Sequence, residues 1–98
     1  MSDFGVSDLA ERRVLRTYLA GGRLHTMPRR GAKRRIVLDY LAARFEPGVR
    51  YPESEVNAVL RAYDDDVAAL RRYLVDEGLL SREAGVYWRT GGWVDVLT

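Results

Sequence analysis

The chain has 98 residues, 47% of them hydrophobic and 31% charged, with no cysteine and one histidine, His25. That is enough for one domain with a single core, and it leaves out a disulfide framework and the zinc sites that need several thiol or imidazole ligands. No apolar run is long enough to span a bilayer and no basic-then-apolar leader opens the sequence, so a soluble, cytoplasmic protein with no membrane partner is expected.

The net charge of +2 conceals an asymmetry. From Met1 to Pro52 eleven basic residues face five acids, a balance of +6, whereas the remainder has five basic residues against nine acids, a balance of −4. A polyanionic partner for the first half would account for this, as would attraction between the two halves within the fold.

Taken in order, Ser7 is placed to cap a helix from about Asp8 to Ala20. Leu9, Val14, Leu15, Tyr18 and Leu19 spread over a broad apolar face, and Gly21 and Gly22 stop it. That face is wider than a lone surface helix needs, which suits either a homodimer contact or a cover for the domain's own core. Arg23 to Pro28 reads as an edge strand or an extended connector, because Pro28 argues against a helix or a central strand.

Arg29 to Arg35 reads RRGAKRR, five positive charges in seven residues. Arg29, Arg30, Lys33, Arg34 and Arg35 can be a solvated helix start or a patch that contacts phosphates, and a helix N-terminus favours the anion. A helix beginning near Lys33 then carries Val37, Leu41 and Phe45 in one row, with Ile36, Leu38 and Tyr40 beside it, until Glu46-Pro47-Gly48 turns the chain.

Arg50-Tyr51-Pro52 reads as an extended link, with Pro52 at a first helical position. Val56, Val59, Leu60 and Tyr63 would line the buried side of the helix that follows. Glu53 and Glu55 in its first turn suit the helix dipole, and nothing near them in sequence forms a catalytic pair.

The stretch from Asp64 to Leu80 carries the signals of a complete amphipathic helix. Asp64, Asp65 and Asp66 cap its start, Val67, Leu70 and Leu74 share a face, and Gly78 suits a left-handed C-cap. A calcium loop would need a glycine and a terminal glutamate at spacings that this cluster lacks. Two strand-prone runs, Leu79 to Glu83 and Val86 to Arg89, meet at a turn on Ala84-Gly85. Tyr87 and Trp88 must point to opposite faces, and Trp88 is expected to be the buried one. Thr90-Gly91-Gly92 breaks the pattern before Trp93 to Leu97, a final strand or docking tail.

The fold expected is α+β, mainly α: a winged helix-turn-helix with an extra N-terminal helix and a C-terminal β-hairpin wing. Residues 1–22 would form the added helix, the candidate dimer contact, and residues 23–98 the winged-helix-like domain. Tyr51-Pro52-Glu53-Ser54-Glu55-Val56-Asn57, then Asp66 with Leu70-Arg71-Arg72-Tyr73-Leu74-Val75-Asp76, then Leu80, Arg82 and Tyr87-Trp88-Arg89, resemble a bacterial family of domains of unknown function. The resemblance runs from about Gly22 to Arg89, with Pro52 where the family carries Ser or Thr. In that family the domain is often fused behind a helix-turn-helix of the ArsR or MarR kind, which implies a role in transcriptional regulation.

The function expected is that of a DNA-binding regulator with double-stranded DNA as partner. The RRGAKRR residues and the wing residues Arg82 and Arg89 would lie on phosphates, and Arg71 and Arg72 on the recognition helix. Against this stand Asp64 to Asp66, which would bring negative charge to the leading end of that helix. The alternative is a protein-interaction or ligand-sensing module that does not touch DNA. No cofactor, metal or enzymatic residue set is nominated.

Overall fold

The computed structural model describes residues 2–90, with side chains from Leu9 onward. Helix α1 spans Ser2–Tyr18 and is followed by a 3-10 turn, Ala20–Gly22, in which Gly21 and Gly22 take positive φ values of 73° and 83°. Ser7 lies inside this helix rather than at its start, since the chain is already helical five residues earlier. Val14, Leu15, Tyr18 and Leu19 are half-buried and pack against the core, while Leu9 is 56% exposed.

Residues 23–30 form a connector without strand pairing. Leu24 is anchored in the core and donates its backbone N–H to the Tyr63 carbonyl at 2.8 Å. Helix α2 spans Gly31–Ala42 and buries Val37, Leu38, Leu41 and Ala42. Phe45, expected on the last turn of that helix, lies beyond its end but is equally buried, its ring edge-on to Tyr51 at 5.2 Å between centroids.

Arg50–Pro52 is not a link but a strand, β1, antiparallel to the last strand of the hairpin. Pro52 ends it in an extended conformation and stands at the N-cap position of helix α3, Glu53–Arg61, one residue before the first helical position expected for it and with no side-chain cap hydrogen bond. Val56 and Leu60 face inward from α3. After a short turn, helix α4 spans Val67–Asp76, somewhat shorter than the sequence pattern. The Asp66 carboxylate accepts from the Ala69 N–H at 3.2 Å, and the Asp64 carboxylate accepts from the Asp66 N–H at 3.1 Å. Both acids therefore satisfy free donors at the helix start, a contribution of about 1 kcal/mol for a single cap. At the other end Gly78 has φ of 76°, and the Leu79 N–H reaches back to the Leu74 carbonyl at 2.9 Å. This left-handed closure satisfies carbonyls that the last turn leaves open.

Strands β2, Leu80–Glu83, and β3, Val86–Arg89, form a hairpin around Ala84 and Gly85, both with positive φ, as a tight two-residue turn requires. The sheet order is β1-β3-β2, all antiparallel, with Tyr51 opposite Tyr87 and Arg82 also opposite Tyr87. Tyr87 is the buried aromatic, at 1% exposure, and Trp88 lies on the outer face with the Arg50 guanidinium 4.3 Å from its ring. The assignment from sequence is thus reversed: the face with Tyr87 also carries Leu80 toward the helices, and the Tyr87 hydroxyl finds a carboxylate there.

Among the described residues, four α-helices and a small three-stranded antiparallel sheet make an α+β domain, and their order is compatible with a winged helix-turn-helix. The core is a single cluster shared by α2, α3, α4 and the sheet, with α1 laid on α2. The expected segment from Trp93 to Leu97 lies outside the described residues.

Candidate nucleic-acid interface

The residues of RRGAKRR separate into two groups. Arg29, Arg30 and Lys33 are exposed at the entrance to α2, and none makes an ion pair with a described residue. Arg30 occupies the N-cap position in an extended conformation, and no side chain caps the helix there. Arg34 and Arg35 are committed. The Arg34 guanidinium donates to the Pro28 carbonyl at 3.2 Å, lies 4.5 Å from the centroid of the Tyr73 ring and approaches Glu77 at 3.9 Å. Arg35 bonds to Asp39 one turn on at 3.1 Å and approaches Glu77 at 3.8 Å. Two arginines of α2 thus meet the final turn of α4 and the residue after it.

On α4 the neighbouring arginines have different surroundings. Arg71 is turned inward with its side chain 17% exposed, donates to the Asn57 side-chain carbonyl and approaches Glu53 at 3.9 Å. Its Nε is buried without a partner. Arg71 was expected on the groove-facing side, but its position four residues after Val67 and three before Leu74 puts it beside the buried row. Arg72 is exposed and lies 5.8 Å from the same Tyr73 ring that Arg34 covers.

The wing arginines also differ. Arg89 is half-buried and donates to the Phe45 carbonyl at 3.3 Å, tying β3 to the turn that follows α2. Arg82 is exposed and donates to the Tyr87 hydroxyl at 3.5 Å. That hydroxyl is the main cause of a guanidinium pKa raised above the ordinary arginine value. Tyr87 in turn donates to Glu53 at 2.9 Å, and the Glu53 backbone N–H donates to the Gly85 carbonyl at the hairpin turn at 2.9 Å. Asn57, Arg71, Glu53, Tyr87 and Arg82 therefore form one polar chain joining α3, α4 and both wing strands. Asn57 and Tyr87 are not among the site residues expected from the sequence. The spacing of Glu53 and Asn57, four residues apart on one helix face, was the available signal.

Between α4 and β2 lies a cleft of about 250 Å³ lined by Ala68, Arg71, Arg72, Val75, Asp76 and Arg82. Of the three aspartates before α4, Asp64 and Asp66 point to backbone N–H groups, and Asp65 pairs with Arg23 at 3.1 Å. Among the described residues no three His, Cys, Asp or Glu side chains gather as a metal ion would require.

Residues 23–89 match the model of a family described as an uncharacterized protein conserved in bacteria, DUF2087. The chain belongs to the DUF2087 family. The DUF2087 match begins at Arg23, the residue after the 3-10 turn, and ends at Arg89, the last residue of β3. Every member of the polar chain lies inside the DUF2087 region, whereas α1 lies outside it. No curated protein and no solved structure matches this DUF2087 chain. No described helix is long and apolar enough to cross a membrane.

Proposed function

We propose that this protein is a winged helix-turn-helix DNA-binding regulator acting in the bacterial cytoplasm, with α3 and α4 as the helix-turn-helix and β2–β3 as the wing. The observation that carries the reading is the Tyr73 ring. It lies against Arg34 of α2 and near Arg72 of α4, so the uncommitted Arg29, Arg30 and Lys33 belong to the end of the molecule where α4 offers an exposed arginine. Arg82 continues the positive surface across the cleft.

In this reading Arg29, Arg30 and Lys33 contact phosphates, which position the duplex without reading its sequence. Arg72 adds an exposed cation on α4 beside them, while Arg34, Arg35, Arg71 and Arg89 hold the frame that presents these groups. The aspartates at the leading end of α4 weigh less against DNA than their number suggests, because two are spent on capping and the third on Arg23. A regulatory setting is further supported by the resemblance to domains fused behind ArsR- or MarR-type helix-turn-helices. A homodimer pairing through α1 would be built on Leu9, an exposed large hydrophobic among the described side chains of that helix.

One observation favours the second reading, a protein-interaction or ligand-sensing module. The Asp65 side chain is 92% exposed even with Arg23 beside it, and Glu77 and Asp39 interleave with the basic residues. Fluorescence anisotropy with a random duplex distinguishes the two. Replacing Arg29, Arg30 and Lys33 together by Glu should weaken binding on every sequence alike. A parent chain that leaves the duplex free even at low salt rejects DNA binding in favour of the interaction module.

A further inference from the structure

We propose that the cleft between α4 and β2 is a phosphate-binding pocket in which Arg72 and Arg82 hold a single phosphate group. Its volume, about 250 Å³, falls just below the roughly 300 Å³ at which pockets for whole small molecules begin. The space suits one group of a larger ligand. Arg71, Arg72 and Arg82 line it with one carboxylate, Asp76; with Arg71 set against Glu53, a net positive charge remains and calls for an anion. The carboxylate on the same wall opposes a second negative group and so disfavours a polyphosphate chain.

The cations are arranged for different tasks. Arg71 is held by Asn57 and Glu53 and lends positive potential from behind. Arg82 is oriented by the Tyr87 hydroxyl, itself fixed by Glu53. Neither Arg72 nor Arg82 pairs with a described carboxylate within ion-pair distance, so both keep donors for a ligand. Ala68 and Val75 supply the apolar wall between those donors. Stability alone gives little reason for a half-buried guanidinium between two helices, since apolar side chains of similar volume serve as well or better.

Phosphate can come from two sources, the backbone of a duplex or a small phosphate ester. The first source rests on the DNA reading above, and the pocket itself does not. Heteronuclear NMR of backbone and arginine side-chain N–H signals is followed during titration with inorganic phosphate, against sodium chloride at equal ionic strength. Saturable shifts at Ala68, Arg72, Val75 and Arg82 are expected, lost in Arg72→Gln and in Arg82→Gln and kept in Arg29→Gln. Shifts no larger than those caused by chloride, or shifts that survive both cleft variants, overturn the pocket. Both residues are exposed, and an otherwise unchanged spectrum verifies that each variant is folded.

The same variants are then measured on a random duplex. An approximately tenfold loss of affinity in each, with a salt slope lower by about 1, identifies the backbone as the phosphate source. Unaltered duplex binding by the variants, beside saturable cleft shifts, assigns the pocket to a free phosphate ester. A parent chain that binds phosphate in the cleft but no duplex supports the pocket and defeats only the DNA reading.

Discussion

The Arg34 guanidinium lies over the Tyr73 ring, 4.5 Å from its centroid, and joins the first turn of α2 to the last turns of α4. Arg34 also donates to the Pro28 carbonyl at 3.2 Å, so one side chain fixes the connector, α2 and α4 together. Arg34→Ala should lower stability by about 2–4 kcal/mol, the sum expected of a ring contact and a charged hydrogen bond. Arg29→Ala, on an exposed residue of the same basic run, should stay within about 0.5 kcal/mol. Urea denaturation midpoints at constant slope make the comparison, and equal losses would remove the distinction between frame and surface.

The buried Tyr87 closes the core and carries the polar chain. Tyr87→Ala should cost about 3–5 kcal/mol, in the range of large aromatic truncations. Tyr87→Phe, which removes the donor to Glu53 and the acceptor for Arg82 but keeps the ring, should cost about 1–2 kcal/mol. Trp88→Ala, on the outer face with Arg50, should cost about 1 kcal/mol. A larger loss at Trp88 than at Tyr87 would contradict the orientation of the sheet.

Much of the fold was legible because its signals are local. The aspartate cap, the row Val67, Leu70 and Leu74, and Gly78 all lie within one helix, and the Ala84-Gly85 turn lies between adjacent strands. Strand β1 was not legible, because a three-residue strand exists only through its pairing with β3, more than thirty residues away. Alternation told that Tyr87 and Trp88 point apart but could not say which side holds the helices. In the site, a count of charges treated the basic run as one patch. Helical spacing could have divided it: Arg34 precedes Val37, Leu38 and Leu41 by three, four and seven residues and shares their inward face, and Arg71 stands in the same relation to Val67 and Leu74. The ring contact between Arg34 and Tyr73 spans two helices, and no local pattern announces it.

Tyr63 supplies a pH dependence. Burial, and then the neighbouring Tyr40 phenol, raise its pKa above the ordinary tyrosine value. The folded state therefore keeps this proton at a pH where the unfolded chain has lost it, so the unfolded state binds fewer protons and stability falls as pH rises. The contribution is fully present below a pH of about 10, the ordinary tyrosine value, and is lost as pH climbs through the folded value. Denaturation midpoints across the alkaline range should decline less for Tyr63→Phe than for the parent. Parallel declines would show that other groups control the alkaline limit.

Helix α1 lies outside the family match but lends half-buried Val14, Leu15, Tyr18 and Leu19 to the core. A chain beginning at Gly22 should melt several degrees lower than the full chain, since even 1 kcal/mol moves the midpoint of a small domain by about 4–8 °C. Light scattering on both versions also tests pairing through α1. A full chain at monomer mass at high concentration removes the homodimer from the proposal, and a dimer mass that Leu9→Asp returns to monomer supports it.

The central claim, that the exposed cations at the start of α2, on α4 and on the wing act together on a duplex, is tested most directly by the salt dependence of duplex binding. With Arg29, Arg30, Lys33, Arg72 and Arg82 engaged, a plot of log affinity against log salt should be linear with a slope of roughly −3 to −5. Substituting Glu at Arg29, Arg30 and Lys33 should flatten it. A parent chain with no measurable affinity at low salt, or an affinity that salt leaves unchanged, would contradict the account.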